Sequence, residues 1–339
     1  MKVELEVNSI APHLQQLFCG FIELNKKNII KLYVNRNIIN NECFLKAKIN
    51  GNTIIYDTAD NGDYFIKDSE FEKCDYYFKR SYDKKRIIKK FGEIGLKKIK
   101  PLGLNYLVYG NSSIINGIKG NYIIKSKNLI KNIDNISSFK NYYMSDFENI
   151  PYYNKDFKIN FFTRVWSDNN AVITNEKYRE KLKKINDVRA ECIRTCKKEF
   201  GDRFIGGLQR DDFSTKYYKD CIIEDESLVK RSIFLDNVKK SNICISTTGL
   251  HDSIGWKMGE YVAASRGIVS EKLMYEVPGE FSDGKNFLEF GDINQCLSSI
   301  YKLVDDKYYL EKMMFENWNY YHNNVRPDIL VFNTIKEFM

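Results

Sequence analysis

The sequence predicts an α/β protein of two domains, and three features of its 339 residues support this. The chain is longer than the roughly 250–300 residues at which single hydrophobic cores stop growing. Short β-branched or aromatic segments alternate with longer helical patterns in both halves, as in βαβ units. An irregular segment at 110–157, rich in Asn, Ser, Tyr and Lys, separates the halves. We therefore expect domains at 1–155 and 156–325, with a C-terminal helix at 326–339 that returns to the first domain.

The pattern of the first half can be followed in chain order. Asn50 and Gly51 favour a hairpin turn because both residue types tolerate positive φ. The predicted elements are a strand at 3–8, a helix at 13–24, a strand at 29–35, a hairpin of 44–49 with 53–57, a strand at 74–82, a helix at 83–92 and an extended run ending at Pro101.

The second half restarts with an apolar strand and continues with regular alternation. This pattern is typical of a parallel sheet with helices on both faces. The predicted elements are strands at 159–166, 203–208, 242–246 and 267–270, and helices at 175–200, 228–240, 253–266, 292–304 and 306–323.

Composition limits the setting and the partners of the protein. The formal net charge of +8 favours anionic ligands. The eight cysteines include no CxxC pair, and the N-terminus lacks the apolar core of a signal peptide, so we expect reduced thiols and a cytoplasmic protein. The basic residues are distributed and no RNA-binding signature is present, which argues against a nucleic-acid partner.

The loop STTGLHD at 246–252 lies where open α/β sheets bind ligands, beyond the carboxyl end of a strand. The residues that we expect to hold a polar ligand there are Thr248, Gly249, His251, Ser253 and Gly255, with Ser253 as the N-cap of the following helix. A lysine in the first helical turn is unfavourable unless an anion lies nearby, so Lys257 is predicted to contact a phosphate. The alternative is a salt bridge from Lys257 to Glu260, three residues later.

The segment GLHDSIGWKMGEYVAASRGIVSE at 249–271 resembles the donor-binding segment of bacterial GT-B glycosyltransferases, of the family 1/4-like type that builds surface or capsular polysaccharides. The resemblance implies a GT-B fold, with two Rossmann-like domains facing across a cleft. Many retaining members carry two acidic residues eight positions apart, which fall here on Asp252 and Glu260. The resemblance assigns Asp252 a catalytic role near the donor sugar and Glu260 the ribose of the nucleotide.

Members of this family often carry an Arg, and a Lys about five residues later, after the first strand of the second domain, where both contact the diphosphate. Arg164 matches the Arg, the Lys is missing, and Lys257 is a candidate substitute. Arg164 would stabilise the departing nucleotide diphosphate, a catalytic role. The alternative is an ion pair between Arg164 and Asp168.

The first domain is expected to bind the acceptor. His13 follows the first strand and is a candidate to hydrogen-bond the reacting sugar or to act as a base; otherwise it is a half-buried packing residue. The segment Lys79, Arg80 and Ser81 ends a strand and is predicted to bind substrate. The basic run around it is alternatively a helix that contacts anionic membrane at the inner face. The motif DNGD at 60–63 resembles the acidic motif of metal-dependent transferases but is expected to lie away from the donor site.

The sequence thus predicts a hexosyltransferase that moves a sugar from a nucleotide-sugar to a glycan, lipid-linked or protein acceptor. We expect retention of anomeric configuration, no metal and no other cofactor. The alternatives are a sugar-nucleotide epimerase of the same fold and a noncatalytic protein that binds glycans or polyanions.

Overall fold

The computed structural model describes residues 1–110, 141–167 and 175–338. They form two α/β domains, each built on one sheet with buried side chains on both faces. The prediction of two α/β domains facing across a cleft, the arrangement of the GT-B fold, is confirmed.

The first domain contains a six-stranded mixed sheet in the order β2-β1-β3-β4-β5-β6. Its strands are β1 (Lys2–Val7), β2 (Lys31–Arg36), β3 (Phe44–Ile49), β4 (Asn52–Asp57), β5 (Tyr76–Lys79) and β6 (Ile99–Pro101). Its helices are α1 (Gln15–Lys26), α2 (Asp68–Lys73), α3 (Lys84–Phe91) and α4 (Glu93–Lys98).

The predicted hairpin is present and occupies the middle of this sheet. Asn50 and Gly51 have φ values of 47° and 87°, which is the backbone that a two-residue hairpin turn requires. Strand β3 is antiparallel to β1 and to β4, whereas the outer pairs are parallel. The first sheet is therefore mixed, because the hairpin is inserted between the parallel pairs.

The second domain contains a wholly parallel five-stranded sheet in the order β11-β10-β9-β7-β8. Its strands are β7 (Ile159–Thr163), β8 (Phe204–Leu208), β9 (Ile243–Ser246), β10 (Gly267–Glu271) and β11 (Leu288–Phe290). The helices of this domain are α5 (Met144–Phe147), α6 (Glu176–Phe200), α7 (Asp212–Tyr217), α8 (Arg231–Lys240), α9 (Trp256–Ala263), α10 (Ile293–Asp305) and α11 (Lys307–Tyr320). They are followed by α12 (Pro327–Ile335).

The last helix, α12, packs on α1 in the first domain. Its side chains Leu330, Val331 and Ile335 join the core that covers one face of the first sheet. The approach is close because α1 has a glycine there: a Cβ on Gly20 would lie 2.1 Å from the carbonyl oxygen of Pro327. The chain thus ends on the domain in which it began.

The first domain is joined to the second by an apolar segment. Leu104, Tyr106 and Val108 share a buried cluster with side chains of α8, α9 and β9. Leu104, Tyr106 and Val108 therefore pack against the core of the second domain. The domain boundary at 155 stays a prediction. In the described ranges, no helix is long and apolar enough to cross a membrane.

Candidate functional site

A cleft between the two domains lies at the carboxyl ends of β7 and β9. The chain order of the second sheet reverses at β7, which pairs with β8 on one side and β9 on the other. Loops leaving neighbouring strands diverge at such a point and leave a crevice, where open α/β sheets bind ligands. The volume of the cleft is about 340 Å³, which is within the range of small-molecule sites.

The cleft carries an excess of positive charge. Its lining includes two acidic residues, Asp60 and Glu260. The basic lining residues are Arg80, Arg164, Arg189, Arg231 and Lys257. Asp60 pairs with Arg80, and Glu260 pairs with Arg231. In the part of the chain that the structure describes, Arg164, Arg189 and Lys257 have no carboxylate within ion-pair distance. We call these three residues the unpaired cations.

Arg189 joins the two loops that form the floor of the cleft. Its guanidinium donates hydrogen bonds to the carbonyl oxygen of Arg164 at 2.6 Å, after β7, and to that of Thr248 at 2.8 Å, after β9. A third bond, of 3.1 Å, reaches the hydroxyl of Thr247. Burial lowers the pKa of Arg189 to about 10, so the side chain stays charged at neutral pH. It fixes the loop geometry and contributes positive potential.

Lys257 lies in the first turn of α9, and its ammonium donates to the carbonyl oxygen of Phe162. Burial, together with the charges of Arg189, Arg164 and Arg231, lowers the pKa of Lys257 to about 7. Glu260 acts in the opposite direction but does not accept a hydrogen bond from Lys257. The alternative of a Lys257–Glu260 salt bridge is therefore wrong, because the partner of Glu260 is an arginine.

Glu260 is held by a two-pronged ion pair. Its carboxylate accepts from Nη2 of Arg231 at 2.6 Å and from Nη1 at 3.1 Å. The Glu260 side chain is 2% exposed, so an unpaired carboxylate there would be costly. Each oxygen keeps a second lone pair, which leaves the carboxylate able to accept bonds from a ligand.

Arg164 is the exposed member of the unpaired cations. Its guanidinium lies 4.0 Å from the ring centroid of Trp166, a stacking arrangement. Burial of part of the side chain lowers the pKa of Arg164 from its ordinary value. The predicted alternative partner, Asp168, lies outside the described residues.

The first domain contributes His13, Arg80 and Asp60. Arg80 is buried and bonds Asp60, while its other nitrogen donates to the carbonyl oxygen of Ile254 in the second domain at 2.5 Å. It also lies 3.3 Å from Nδ1 of His13. Arginine can only donate, so Nδ1 accepts and the proton of a neutral His13 sits on Nε2. Burial first, and then Arg80, lowers the pKa of His13. This geometry suits His13 as a hydrogen-bond donor and not as a base.

The loop before α9 departs from its predicted form. His251 and Asp252 both have positive φ, 58° and 60°, and Ser253 is extended, so α9 begins at Trp256 with Gly255 as its N-cap. The prediction that Ser253 caps the helix is therefore wrong. Ser253, Gly249 and Gly255 nevertheless line the cleft.

Asp252 does not line the cleft. Its carboxylate pairs with Lys181 of α6 at 2.7 Å and with Arg86 of α3 at 3.7 Å. The two positive φ values turn the chain so that Asp252 joins the domains beside the cleft. Its catalytic role near the donor sugar stays a prediction. The carbonyl oxygen of His251 accepts from Tyr275 at 2.5 Å, and the His251 side chain is not part of the cleft lining.

Three more predicted contacts have other partners. Thr248 bonds Glu271 through its amide and its hydroxyl, at 2.8 and 3.0 Å, and its neighbour Thr247 lines the cleft. Lys79 is fully buried, where it bonds Asp57 at 2.7 Å. The Ser81 hydroxyl is buried against carbonyl oxygens of the 59–60 turn. Burial corrects the prediction that Lys79 and Ser81 bind substrate; of that segment, only Arg80 reaches the cleft.

Sequence reasoning missed Arg189, Arg231, Thr247 and Asp60. Arg189 had a signal, because it is the one charged residue on the buried stripe of α6 and stands four residues after Ile185. Asp60 was expected away from the donor site, but the fold brings the 60–63 turn to the cleft. Among the described residues, no group of three or more His, Cys, Asp or Glu side chains is placed to hold a metal ion.

The fold and the site together define a two-domain α/β protein with a positively charged cleft at the topological switch point. No protein-family model matches the sequence, and a search of curated proteins gave no match. Among solved structures, the chain is similar to a putative UDP-N-acetylglucosamine 2-epimerase from Listeria monocytogenes, with 11% identity, a TM-score of 0.45 and coverage of 99% of this chain and 95% of that one.

Two further solved structures are similar to the chain. Anabaena Alr3699/HepE in complex with UDP and glucose has 10% identity and a TM-score of 0.43, with coverage of 96% and 94%. The C-terminal domain of the glycosyl transferase group 1 family protein LpcC from Francisella tularensis has 11% identity and a TM-score of 0.36, with coverage of 53% of this chain and 96% of that one. At these values, the case for a function rests on the residues of this chain.

Proposed function

We propose that the protein is a glycosyltransferase that transfers a sugar from a nucleotide diphosphate-sugar to an acceptor hydroxyl, without a metal or other cofactor. One observation carries this proposal: Arg164, Arg189 and Lys257 lie at the carboxyl ends of parallel strands, and none of the carboxylates that the structure describes is within ion-pair distance of them. Cations left unpaired in a half-buried cleft favour an anionic ligand. A sugar diphosphate brings two negative charges to this position.

The diphosphate would lie between Arg164, Lys257 and the first turn of α9. No side chain caps that turn, because its N-cap is Gly255. A Cβ on Gly255 would have no neighbour within 4 Å, so the space before the free N–H groups is open. An uncapped helix N-terminus favours phosphate groups. Arg189, whose donors are engaged by the loops, would act by holding this arrangement in place.

The nucleoside would be recognised by Glu260. Its carboxylate is the one acidic group on the second-domain side of the described cleft lining, and the free lone pairs suit ribose hydroxyls. Arg231 holds the carboxylate in one orientation through two hydrogen bonds. This role for Glu260 is the one that the resemblance implied.

In the reaction, the bond between the anomeric carbon and the diphosphate oxygen breaks while the oxygen of the acceptor hydroxyl bonds to the carbon, and the proton of that hydroxyl passes to the departing diphosphate. The electron pair stays on the departing diphosphate, where the unpaired cations stabilise the developing charge. Nε2–H of His13, which lies 4.0 Å from a carboxylate oxygen of Asp60, would donate to a sugar hydroxyl. Retention of the anomeric configuration was expected from the acidic pair Asp252 and Glu260. It stays a prediction, because the Asp252 carboxylate forms ion pairs with Lys181 and Arg86.

The first experiment is calorimetry with UDP-, GDP-, dTDP- and CMP-sugars on wild type and on Arg164→Ala. Loss of one charge-assisted hydrogen bond is worth about 2 kcal/mol, so the variant should bind its nucleotide-sugar about 30-fold more weakly. The control is Arg194→Ala, which removes another exposed arginine, on the outer face of α6, where it pairs with Asp220.

Chromatography of the bound nucleotide-sugar then tests the reaction. Release of the nucleotide with transfer or slow hydrolysis of the sugar supports a transferase, whereas a new sugar-nucleotide of equal mass indicates an epimerase. If the folded protein binds none of these ligands, the donor site is wrong and a noncatalytic binding protein becomes the better description.

A further inference from the structure

Helices α3 and α4 form an exposed basic surface on the first domain. The segment from 84 to 100 contains eight basic residues and one acidic residue, Glu93. This excess nearly equals the net charge of the whole chain, +8. The positive charge of the protein is thus concentrated outside the cleft as well as within it.

Part of this charge is neutralised within the protein. Lys84 pairs with Glu276 at 2.8 Å, Arg86 pairs with Asp63 at 2.5 Å, and Lys90 lies 3.4 Å from Asp68. By contrast, no described carboxylate lies within ion-pair distance of four exposed lysines. These four are Lys85, Lys89, Lys97 and Lys100.

Isoleucines are exposed among these lysines. Ile94 is 73% exposed and Ile88 is 36% exposed. In α3, Lys85, Ile88 and Lys89 stand three and four residues apart, so they share the outward face of the helix. In α4, Ile94 and Lys97 have the same spacing. Each helix therefore presents an isoleucine with a lysine one turn away, and we call Lys85, Ile88, Lys89, Ile94, Lys97 and Lys100 the lysine–isoleucine patch.

The inner faces of the same helices anchor this patch to the sheet. Ile87 is fully buried, and Phe91 stacks on Phe71 at 4.0 Å between ring centroids. The apolar side chains on the inner faces already bury these helices against the core, so the outward isoleucines are not part of the core. A purely solvated basic helix would place polar residues at these positions.

We infer that the lysine–isoleucine patch docks the protein on the surface of an anionic lipid bilayer. Lysines flanking exposed aliphatic side chains match a layer of negative headgroups over hydrocarbon, which is the chemistry of interfacial helices. A nucleic acid fits less well, since the patch offers isoleucines where single strands would stack on aromatic rings.

The patch lies beside the cleft. Arg86 of α3 reaches Asp252 in the loop before α9, and the neighbouring Lys84 contacts the second domain through Glu276. A bilayer on the patch would therefore face the edge of the cleft. If the proposed function holds, the acceptor is carried by a lipid in that bilayer; the docking itself does not depend on the proposed function.

The test is co-sedimentation of the full chain with vesicles of phosphatidylcholine, with and without phosphatidylglycerol. Wild type should sediment only with the anionic vesicles. The variant Lys85→Gln/Lys89→Gln/Lys97→Gln/Lys100→Gln should lose about fivefold in partitioning for each lysine removed. The charge-matched control changes Lys184, Lys197, Lys198 and Lys312, exposed lysines of the second domain, to Gln.

The apolar part is tested separately with Ile88→Ser/Ile94→Ser, which should also weaken vesicle binding. Ile150→Ser is its control, because Ile150 is 67% exposed outside the patch. Failure of wild type to sediment, equal loss in the two lysine variants, or full binding by the isoleucine variant would each overturn the inference. Nucleotide-sugar binding, measured on the same variants, should stay unchanged, which separates this result from a failure of the proposed function.

Discussion

Lys257 should make nucleotide-sugar binding depend on pH in the neutral range. Burial and the neighbouring arginines lower the pKa of Lys257 to about 7. The charged form binds phosphate, so affinity should be full below about pH 7. A bound diphosphate adds negative charge beside the ammonium and raises its pKa. Affinity should therefore fall as pH rises above 7, by up to about tenfold per unit until the pKa of the complex is reached.

The magnitude follows from the same pKa. At pH 7.5 a large part of Lys257 is neutral in the free protein, so binding should take up a substantial fraction of one proton per nucleotide-sugar; at pH 6 the uptake should be much smaller. His13 adds little at pH 7.5, because its pKa is lowered from an ordinary value of 6.5. Arg164, Arg189 and Arg231 stay charged throughout this range.

Proton uptake can be measured by calorimetry at one pH in buffers of different ionisation enthalpy. Lys257→Arg should keep binding but lose both the pH dependence and the uptake, because guanidinium does not titrate here. Lys257→Met should weaken binding at pH 6 more than at pH 8.5. A wild type that takes up no proton at pH 7.5, or a Lys257→Arg protein with undiminished uptake, would refute the reasoning.

Two predictions concern stability, measured by urea unfolding. Arg231→Met should lower the free energy of unfolding by about 3 kcal/mol, because it leaves the carboxylate of Glu260 buried and unpaired. Adding Glu260→Gln should recover most of this loss. Losses that simply add in the double variant would contradict the prediction. Gly20→Ala should cost about 2 kcal/mol, because the new Cβ meets the carbonyl oxygen of Pro327. Gly255→Ala, with open space around its Cβ, should change stability little, and equal losses in the two glycine variants would contradict the argument.

The regular elements were predictable because their signals are local. The hairpin needed only Asn50 and Gly51, whose positive φ values the structure confirms. The long helix predicted at 175–200 is α6, Glu176–Phe200, and its apolar stripe has the helical period. The strand β11 was missed, since its three residues offer too short a pattern.

The position of the site in the sheet could also be predicted from local sequence, but the set of side chains that line the site could not. A polar loop after an apolar strand located the cleft at the end of β9. Which side chains enter the cleft depended on two residues with positive φ, which turn Asp252 outward to partners 71 and 166 positions away, Lys181 and Arg86. No periodic pattern encodes such a turn.

The sequence by itself determined the two α/β domains, most strand and helix positions and the loop that holds the site. Tertiary structure alone decided that Lys79 is buried against Asp57 while its neighbour Arg80 reaches the cleft. It also decided that Glu260 is paired with Arg231, while Arg164 and Lys257 have no ion-pair partner among the described carboxylates. The physical reason is that backbone preferences act between near neighbours, whereas the charge balance of a cleft is set by side chains that only folding brings together.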